Sequence, residues 1–221
     1  MTDIAVFDLD GTITHGDTFV AYLAYVLRHR PRRIAHCVTL APLAAGFALG
    51  RVGNAEAKSR LLYAIAGGSW RGDIARFTKG FRDTRLPRMV KPAALRRIAM
   101  HRERGDTLVM ATAGIDIYAN AVGELLGFDH VLATRAVWDS DRLILGLDGP
   151  NLRGADKLAA VKALRAALQP ATARLIAYSD HHSDLPLLRH ADEGIAVDPT
   201  PRLAQAITGL AIPVECWARE Q

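Results

Sequence analysis

The chain opens on a short apolar run, Ile4 to Phe7, which Asp8 interrupts, Leu9 resumes, and Asp10 and Gly11 close. A run this short, without helical spacing and ending in acids and a glycine, predicts a buried strand feeding a tight turn. The period then changes. Phe19, Tyr22, Leu23, Val26 and Leu27 recur at helical intervals, which predicts a helix stopping before Pro31. From about Thr18 to Arg104 nearly every segment reads as helix, punctuated by Gly50, Gly53, Gly67, Gly68, Gly72 and Pro87 and stopped by Gly105. Beyond it, strand and helix alternate. Strands are predicted over 107–111, 131–133, 174–178 and 194–197, helices over 118–126 and 157–168, and a helical turn over 185–190. Residues 138–153, with Asp139, Asp141, Gly146, Gly149 and Pro150, read as a hairpin or loop.

Such alternation with short links predicts an α/β fold, a doubly wound, Rossmann-like parallel sheet. Its organisation follows from the order of the pieces. Residues 1–16 and 88–221 are expected to form the sheet core. Residues 17–87 are expected to form a helical cap inserted after the first strand, above the strand ends where such sheets carry their sites.

Composition narrows the picture. At 221 residues, with 50% hydrophobic and 23% charged positions, the chain suits one core domain plus a smaller unit and excludes a disordered protein. The net charge of +5 suits an anionic partner. Cys37 and Cys216 stand far apart, without metal-type spacing, and fit a reducing compartment. The opening residues lack a signal peptide's basic and apolar regions, so a cytoplasmic location is expected. The apolar segment 34–50, preceded by Arg28, Arg30, Arg32 and Arg33, has three readings: a buried helix pair, a segment on the inner face of an anionic membrane through residues 28–50, or a short span.

Candidate chemistry lies at the predicted strand ends. Asp8, Asp10, Thr112, Asp180 and Asp184 fall there, with Lys157 near a helix start. On adjacent strands these six would converge. Four carboxylates in one crevice repel one another unless a cation joins them. Oxygen ligands without paired histidines point to a hard ion, most simply Mg2+. A carboxylate can also accept a phosphoryl group, splitting one displacement into two easier steps. Lysine and hydroxyl groups suit phosphoryl oxygens. Plainer readings stand beside these: Asp8 and Asp10 as turn caps, Thr112 and Asp184 as helix caps, Lys157 as a lysine near a helix start, and His181 and His182 as rim residues.

Residues 7–12, FDLDGT, resemble the first motif of the haloacid dehalogenase superfamily of phosphatases. Residues 109–114, VMATAG, are similar to its strand-plus-hydroxyl motif. Lys157 in GADK is similar to its motif lysine, and residues 178–188, YSDHHSDLPLL, to its final acidic motif. All four stand in family order across nearly the whole chain. The resemblance implies that Asp8 is the nucleophile and a metal ligand. It implies that Asp10 is the acid and base toward the leaving group and water, ligating the metal through its backbone carbonyl. Thr112 and the backbone around Ala113 would hold the phosphoryl group, and Lys157 would neutralise it and orient Asp8. Asp180 would complete the Mg2+ site, with Asp184 in support. The family often has Gly-Asp-Ser in the last motif, whereas Ser179-Asp180-His181 stands here.

The placement of the helical insertion resembles the subgroup that includes phosphoserine phosphatase. There an acid after the first motif and a cap arginine read the substrate; Asp17 stands at about the matching distance for the first, and Arg60 is a plausible second. Each also reads plainly as a solvated or capping charge, and the family's usual residue at the first place is the longer glutamate. The run Asp17-Thr18-Phe19, and Tyr25 to Arg28 before Pro31, are also similar to phosphatidylglycerophosphate phosphatases of the C type. The expected substrate is a small soluble phosphomonoester, of the phosphoserine or histidinol phosphate type, or a lipid phosphate. A phosphotransferase using the same aspartyl-phosphate, and a peripheral membrane-binding module with a relic site, are the alternatives. Asp10 argues against a dehalogenase, and no aromatic pattern supports nucleic-acid binding.

Overall fold

The computed structural model of the protein describes residues 2–38, 40–168 and 173–218. Strand β1 (Ile4–Phe7) leads into five cap helices: α1 (Thr18–His29), α2 (Ile34–Val38), α3 (Ala41–Ala48), α4 (Asn54–Ala66) and α5 (Arg71–Thr84). Helix α6 (Pro92–Glu103), β2 (Thr107–Ile115), α7 (Asp116–Leu126) and β3 (His130–Thr134) follow. Then come the strands β4 (Ala136–Asp139) and β5 (Arg142–Leu147), helix α8 (Ala155–Leu168) and β6 (Leu175–Ser179). Helix α9 (Leu185–His190), β7 (Glu193–Val197), α10 (Pro201–Ala206) and β8 (Val214–Glu215) complete the described chain.

Six strands form one sheet in the order β3-β2-β1-β6-β7-β8, and every pairing in it is parallel. Strand β1 is buried throughout, as its unbroken apolar run requires in a sheet covered on both faces. Its side chains alternate between two cores. Ala5 and Phe7 join Ile98 of α6 and Val122 of α7, while Ile4 and Val6 join Val161 of α8, Leu187 of α9 and Leu203 of α10. Ile4 stands opposite Thr107 on one side and Leu175 on the other, so β1, β2 and β6 run in register, and β2 continues five residues past the partner of Phe7. The chain builds outward from β1 to β3, then crosses back to β6, which makes the β1–β6 boundary the switch point of the sheet.

The cap rises from that edge. Asp17 Oδ1 accepts a hydrogen bond from Val20 N at 2.9 Å and starts α1, whose Phe19, Tyr22, Leu23 and Val26 face inward. The two connections to the core run side by side, with His15 N bonded to Met89 O and Lys91 N to Ile13 O, both at 2.9 Å. The stretch read as hairpin or loop contains the antiparallel pair β4–β5, which braces the cap. Gly68 N bonds to Leu143 O at 2.8 Å, Leu143 N bonds to Ser69 O at 3.0 Å, and the Arg142 guanidinium lies 4.1 Å over the Trp70 ring.

Segment 34–50 departs from the buried-pair expectation. Leu43 is buried, but Ile34, Val38, Phe47 and Leu49 are 56%, 74%, 48% and 67% exposed. Two helices of five and eight residues, split near Pro42, are too short to bury an apolar face on all sides. Thr39 lies outside the described residues, and among these no helix is long and apolar enough to cross a membrane. The basic run is partly used inside the cap: Arg33 Nη2 donates to Gly67 O at 2.5 Å and Arg30 donates to Ser69 Oγ.

Candidate active site

The parallel register brings distant residues together. Asp8 N donates to Tyr178 O at 3.0 Å, carrying the ladder one residue past β1, so the Asp8 side chain emerges at the carboxyl edge of the sheet. There Lys157 Nζ lies 2.7 Å from Asp8 Oδ1 and 2.5 Å from Asp184 Oδ2, and Ser179 Oγ donates to the same Asp184 oxygen at 2.8 Å. All four residues are buried. Lys157 sits in the first turn of α8, reached through Gly154 in the left-handed conformation at φ 61°.

Burial is what raises Asp8, to about 8; Lys157 opposes it, while Asp184 and Asp180 add to it. Burial alone would lower Lys157, but Asp8 and Asp184 hold its ammonium above the usual range. Asp180 is likewise raised by burial, to about 6, against hydrogen bonds from its own N–H and Thr12. Buried carboxyls that share one ammonium make the ionised pocket short of positive charge.

Asp180 follows β6 and is clasped by Thr12. Its N–H donates to Thr12 Oγ1 at 2.9 Å, and the hydroxyl donates to Asp180 Oδ1 at 3.2 Å. Gly11 makes that clasp possible: its φ is 81°, and a Cβ there would collide with the Asp180 carboxylate. Asp10 Oδ1 accepts from Thr18 N at 2.7 Å and Thr18 Oγ1 at 2.5 Å, which commits one carboxyl oxygen and leaves the second. Burial raises its pKa despite those bonds.

On the other side, the β2–β3 register shifts between Thr112 and Ile115, and the chain bulges toward the site. Thr112 Oγ1 accepts from Gly114 N at 2.8 Å, so its own proton is free to donate. The Ala113 carbonyl is held by Thr134 Oγ1 at 2.9 Å and by the ammonium of Lys58, which also donates to Asn151 Oδ1 at 2.8 Å.

One cavity of about 490 Å³ connects these groups. Asp8, Asp10, Asp17, Thr112, Ala113, Lys157, Asp180 and Asp184 all line it. Arg60 does not, which corrects its placement as a substrate-binding residue. It pairs with Glu56 at 2.8 Å on the same helix and is about half exposed. The reason is helical phase. Asn54, Ala57, Lys58 and Leu61 form the stripe of α4 that faces the cavity, and Arg60 projects elsewhere. Lys58 is thus the cap cation at the site, and that stripe is the signal that could have found it. Burial lowers its pKa to about 8, opposed by Asp10 and Asp17. Thr12 and Ser179 were inside recognised motifs without a role, whereas Asn151 and Arg153 carried no signal. Arg153 Nη2 lies 3.3 Å from His181 Nε2. Burial, then Arg153 and His182, push His181 down to about 4, so it is neutral near pH 7. Among the described residues, no three His, Cys, Asp or Glu side chains cluster as metal ligands. Asp8 and Asp180 supply two carboxyl groups, and Asp10 turns its own toward Thr18.

Known proteins resemble this chain in sequence and in fold. The chain is 29% identical over 191 residues to Protein CicA of Caulobacter vibrioides, covering 86% of this chain and 83% of that one. A protein of unknown function from Bordetella pertussis Tohama I superposes with a TM-score of 0.83 at 22% identity, over 97% of this chain and 98% of that one. A phosphoserine phosphatase solved as a phospho-aspartyl intermediate analogue superposes with a TM-score of 0.66 at 16% identity, over 100% and 95% of the two chains. At such identities the solved structures show a common fold. Residues 5–189 match the family of haloacid dehalogenase-like hydrolases, and the chain belongs to that family.

Proposed function

We propose that the protein is a Mg2+-dependent phosphatase that hydrolyses a phosphomonoester through an aspartyl-phosphate on Asp8. The observation that carries this reading is the buried Asp8 carboxyl, held 2.7 Å from Lys157 in a cavity it shares with Asp10, Thr112 and Asp180. The phospho-aspartyl analogue of a phosphoserine phosphatase with the same fold supports it by likeness.

The donor set fits Mg2+. Asp8 and Asp180 would hold the ion by carboxylate and Asp10 by its backbone carbonyl, leaving the other positions to water and a phosphoryl oxygen, as this ion prefers. When bound it supplies the positive charge that the pocket lacks and offsets that of the phosphoryl group.

Asp8 Oδ2 attacks phosphorus as the ester bond breaks, while Lys157 fixes the other oxygen of Asp8. The Thr112 hydroxyl and the bulged backbone beside it receive phosphoryl oxygens. Asp10 gives its proton to the departing ester oxygen; its raised pKa suits an acid that must be protonated at that moment. In the second step water attacks phosphorus, the bond to Asp8 breaks, and Asp10 takes the water's proton. The carboxylate of Asp8 and inorganic phosphate result.

Release of inorganic phosphate from para-nitrophenyl phosphate is the primary test. It is expected with Mg2+, abolished by EDTA and restored by Mg2+ in excess; release at full rate in EDTA would sink the metal assignment. Release without an added alcohol acceptor separates hydrolysis from phosphotransfer. Asp10→Asn is expected to lower kcat/KM for alkyl phosphates, which reports the first step alone, by about 10²–10⁴-fold, and that for para-nitrophenyl phosphate much less, because nitrophenolate leaves without a proton. Equal losses on both esters would remove the proton-donor role.

A further inference from the structure

The cavity continues beyond Asp8. Its far side is a wall of apolar side chains from three cap helices: Val20 of α1, Leu40, Leu43, Ala44 and Phe47 at and along α3, and Leu61 of α4. These side chains offer a substrate no hydrogen-bond partner. The two charged cap residues in the same cavity are already engaged within the protein. Asp17 caps α1 through Val20 N, and Lys58 donates to Ala113 O and Asn151 Oδ1. A small zwitterionic ester would have to break the partly buried bonds of Lys58 to be read by it, at the cost of leaving Ala113 O and Asn151 Oδ1 without that donor. The cations that line the cavity, Lys58, Arg153 and Lys157, stand on the core side or reach toward it, and the wall itself carries no charge. The wall also opens to the surface, for Val20 is 60% and Phe47 48% exposed.

An anion-binding floor joined to an apolar wall has the polarity of a phosphate ester of a long-chain alcohol. Resting on the phosphatase reading of Asp8, we propose that the substrate is an amphiphilic phosphomonoester, with its phosphoryl group at Asp8 and its hydrocarbon chain along α3. The wall then gives the apolar residues along α3 that line the cavity, Leu43, Ala44 and Phe47, a role: they cover the chain of the substrate.

The test is a series of n-alkyl phosphates from ethyl to decyl, each below its critical micelle concentration, assayed by phosphate release with Mg2+. The proposal expects kcat/KM to rise with length, by up to about fourfold for each methylene that reaches the wall. Ala44→Asp places a charge on the wall at an exposed position in the first half of a helix, where the fold tolerates it. It is expected to cut the decyl-to-ethyl ratio of kcat/KM by at least about tenfold. That ratio does not move if the variant merely loses active protein. A flat series, with ethyl and para-nitrophenyl phosphate still hydrolysed, would overturn the proposal and leave the phosphatase standing; hydrolysis of no ester would overturn both. Faster release from a long-chain phosphate in anionic phosphatidylglycerol vesicles than in neutral ones would support a bilayer source, next to the exposed Arg28 and Arg32. Rising rates on the dissolved esters alone would support a source in solution.

Discussion

Asp8→Asn is expected to lower phosphate release by at least about 10⁴-fold, the scale on which other enzymes lose turnover when a covalent nucleophile is removed. The amide keeps the volume and one acceptor for Lys157 Nζ, which stands 2.7 Å away, but has no charge with which to attack phosphorus. The fold should survive and even gain. Asp8 is raised to about 8, chiefly by burial, from an ordinary value of 3.8. Between those limits the folded protein holds a proton on Asp8 that the unfolded chain releases. The stability this contributes is fully present below the lower limit and is lost as pH rises through the upper one. Asparagine has no such dependence. The metal-free variant should therefore gain stability relative to the wild type as pH rises from about 5 to about 8. Denaturant melts at those two pH values measure this, and intact-mass analysis of acid-quenched turnover should show a phosphoryl adduct on the wild type only. Activity near the wild-type level in Asp8→Asn, or an adduct on it, would remove Asp8 from the chemistry.

Most of the sheet and its acids were legible for a simple reason. A strand covered on both faces must be apolar along its length, so Ile4 to Phe7 and Leu175 to Tyr178 announce themselves, and the polar residue after such a run lies at the edge of the sheet. Convergence of Asp8, Thr112 and Asp180 then needs only that β1 lie between β2 and β6. The short closing elements were missed because six residues in α10 and two in β8 hold too little periodicity to read. The cap was harder for a different reason. Arg60 is a plausible substrate-reading arginine by residue type and by its position in the cap, yet a helical side chain is placed by phase, and Lys58, two positions earlier, is the one that reaches Ala113. The apolar residues of 34–50 leave a buried helix pair, a membrane face and a short span all open, because periodicity cannot say what an apolar face meets. The short helices and the cavity on their inner side are visible only in three dimensions.

Lys157→Met should harm both activity and stability, and the two effects separate by pH. The ammonium lies 2.7 Å from Asp8 and 2.5 Å from Asp184, and removing it leaves buried carboxyls without their cation. Breaking a buried pair from one side costs about 3–5 kcal/mol when the remaining charge cannot adapt. Asp8 can adapt by taking up a proton. Lys157 is the largest influence holding its pKa down against burial, so in the variant Asp8 should titrate above about 8. A raised carboxyl stabilises the folded state at low pH and ceases to do so as pH climbs through its folded value. The destabilisation by Lys157→Met should therefore hold near one value up to about pH 8, where Asp8 is protonated in both proteins, and grow above it by up to about 1.4 kcal/mol per pH unit, as urea melts on metal-free protein from about pH 5 to about pH 9 would record. Turnover should fall by about 10²–10³-fold even where the variant is folded, because the phosphoryl group loses a fixed donor and Asp8 its orientation. The loss should appear in kcat, since Thr112 and the bulged backbone still bind the ester. A destabilisation that stays constant from acid to alkaline pH would mean that Lys157 fills space beside Asp8 without setting its charge, and the nucleophile would then lack the partner this mechanism requires.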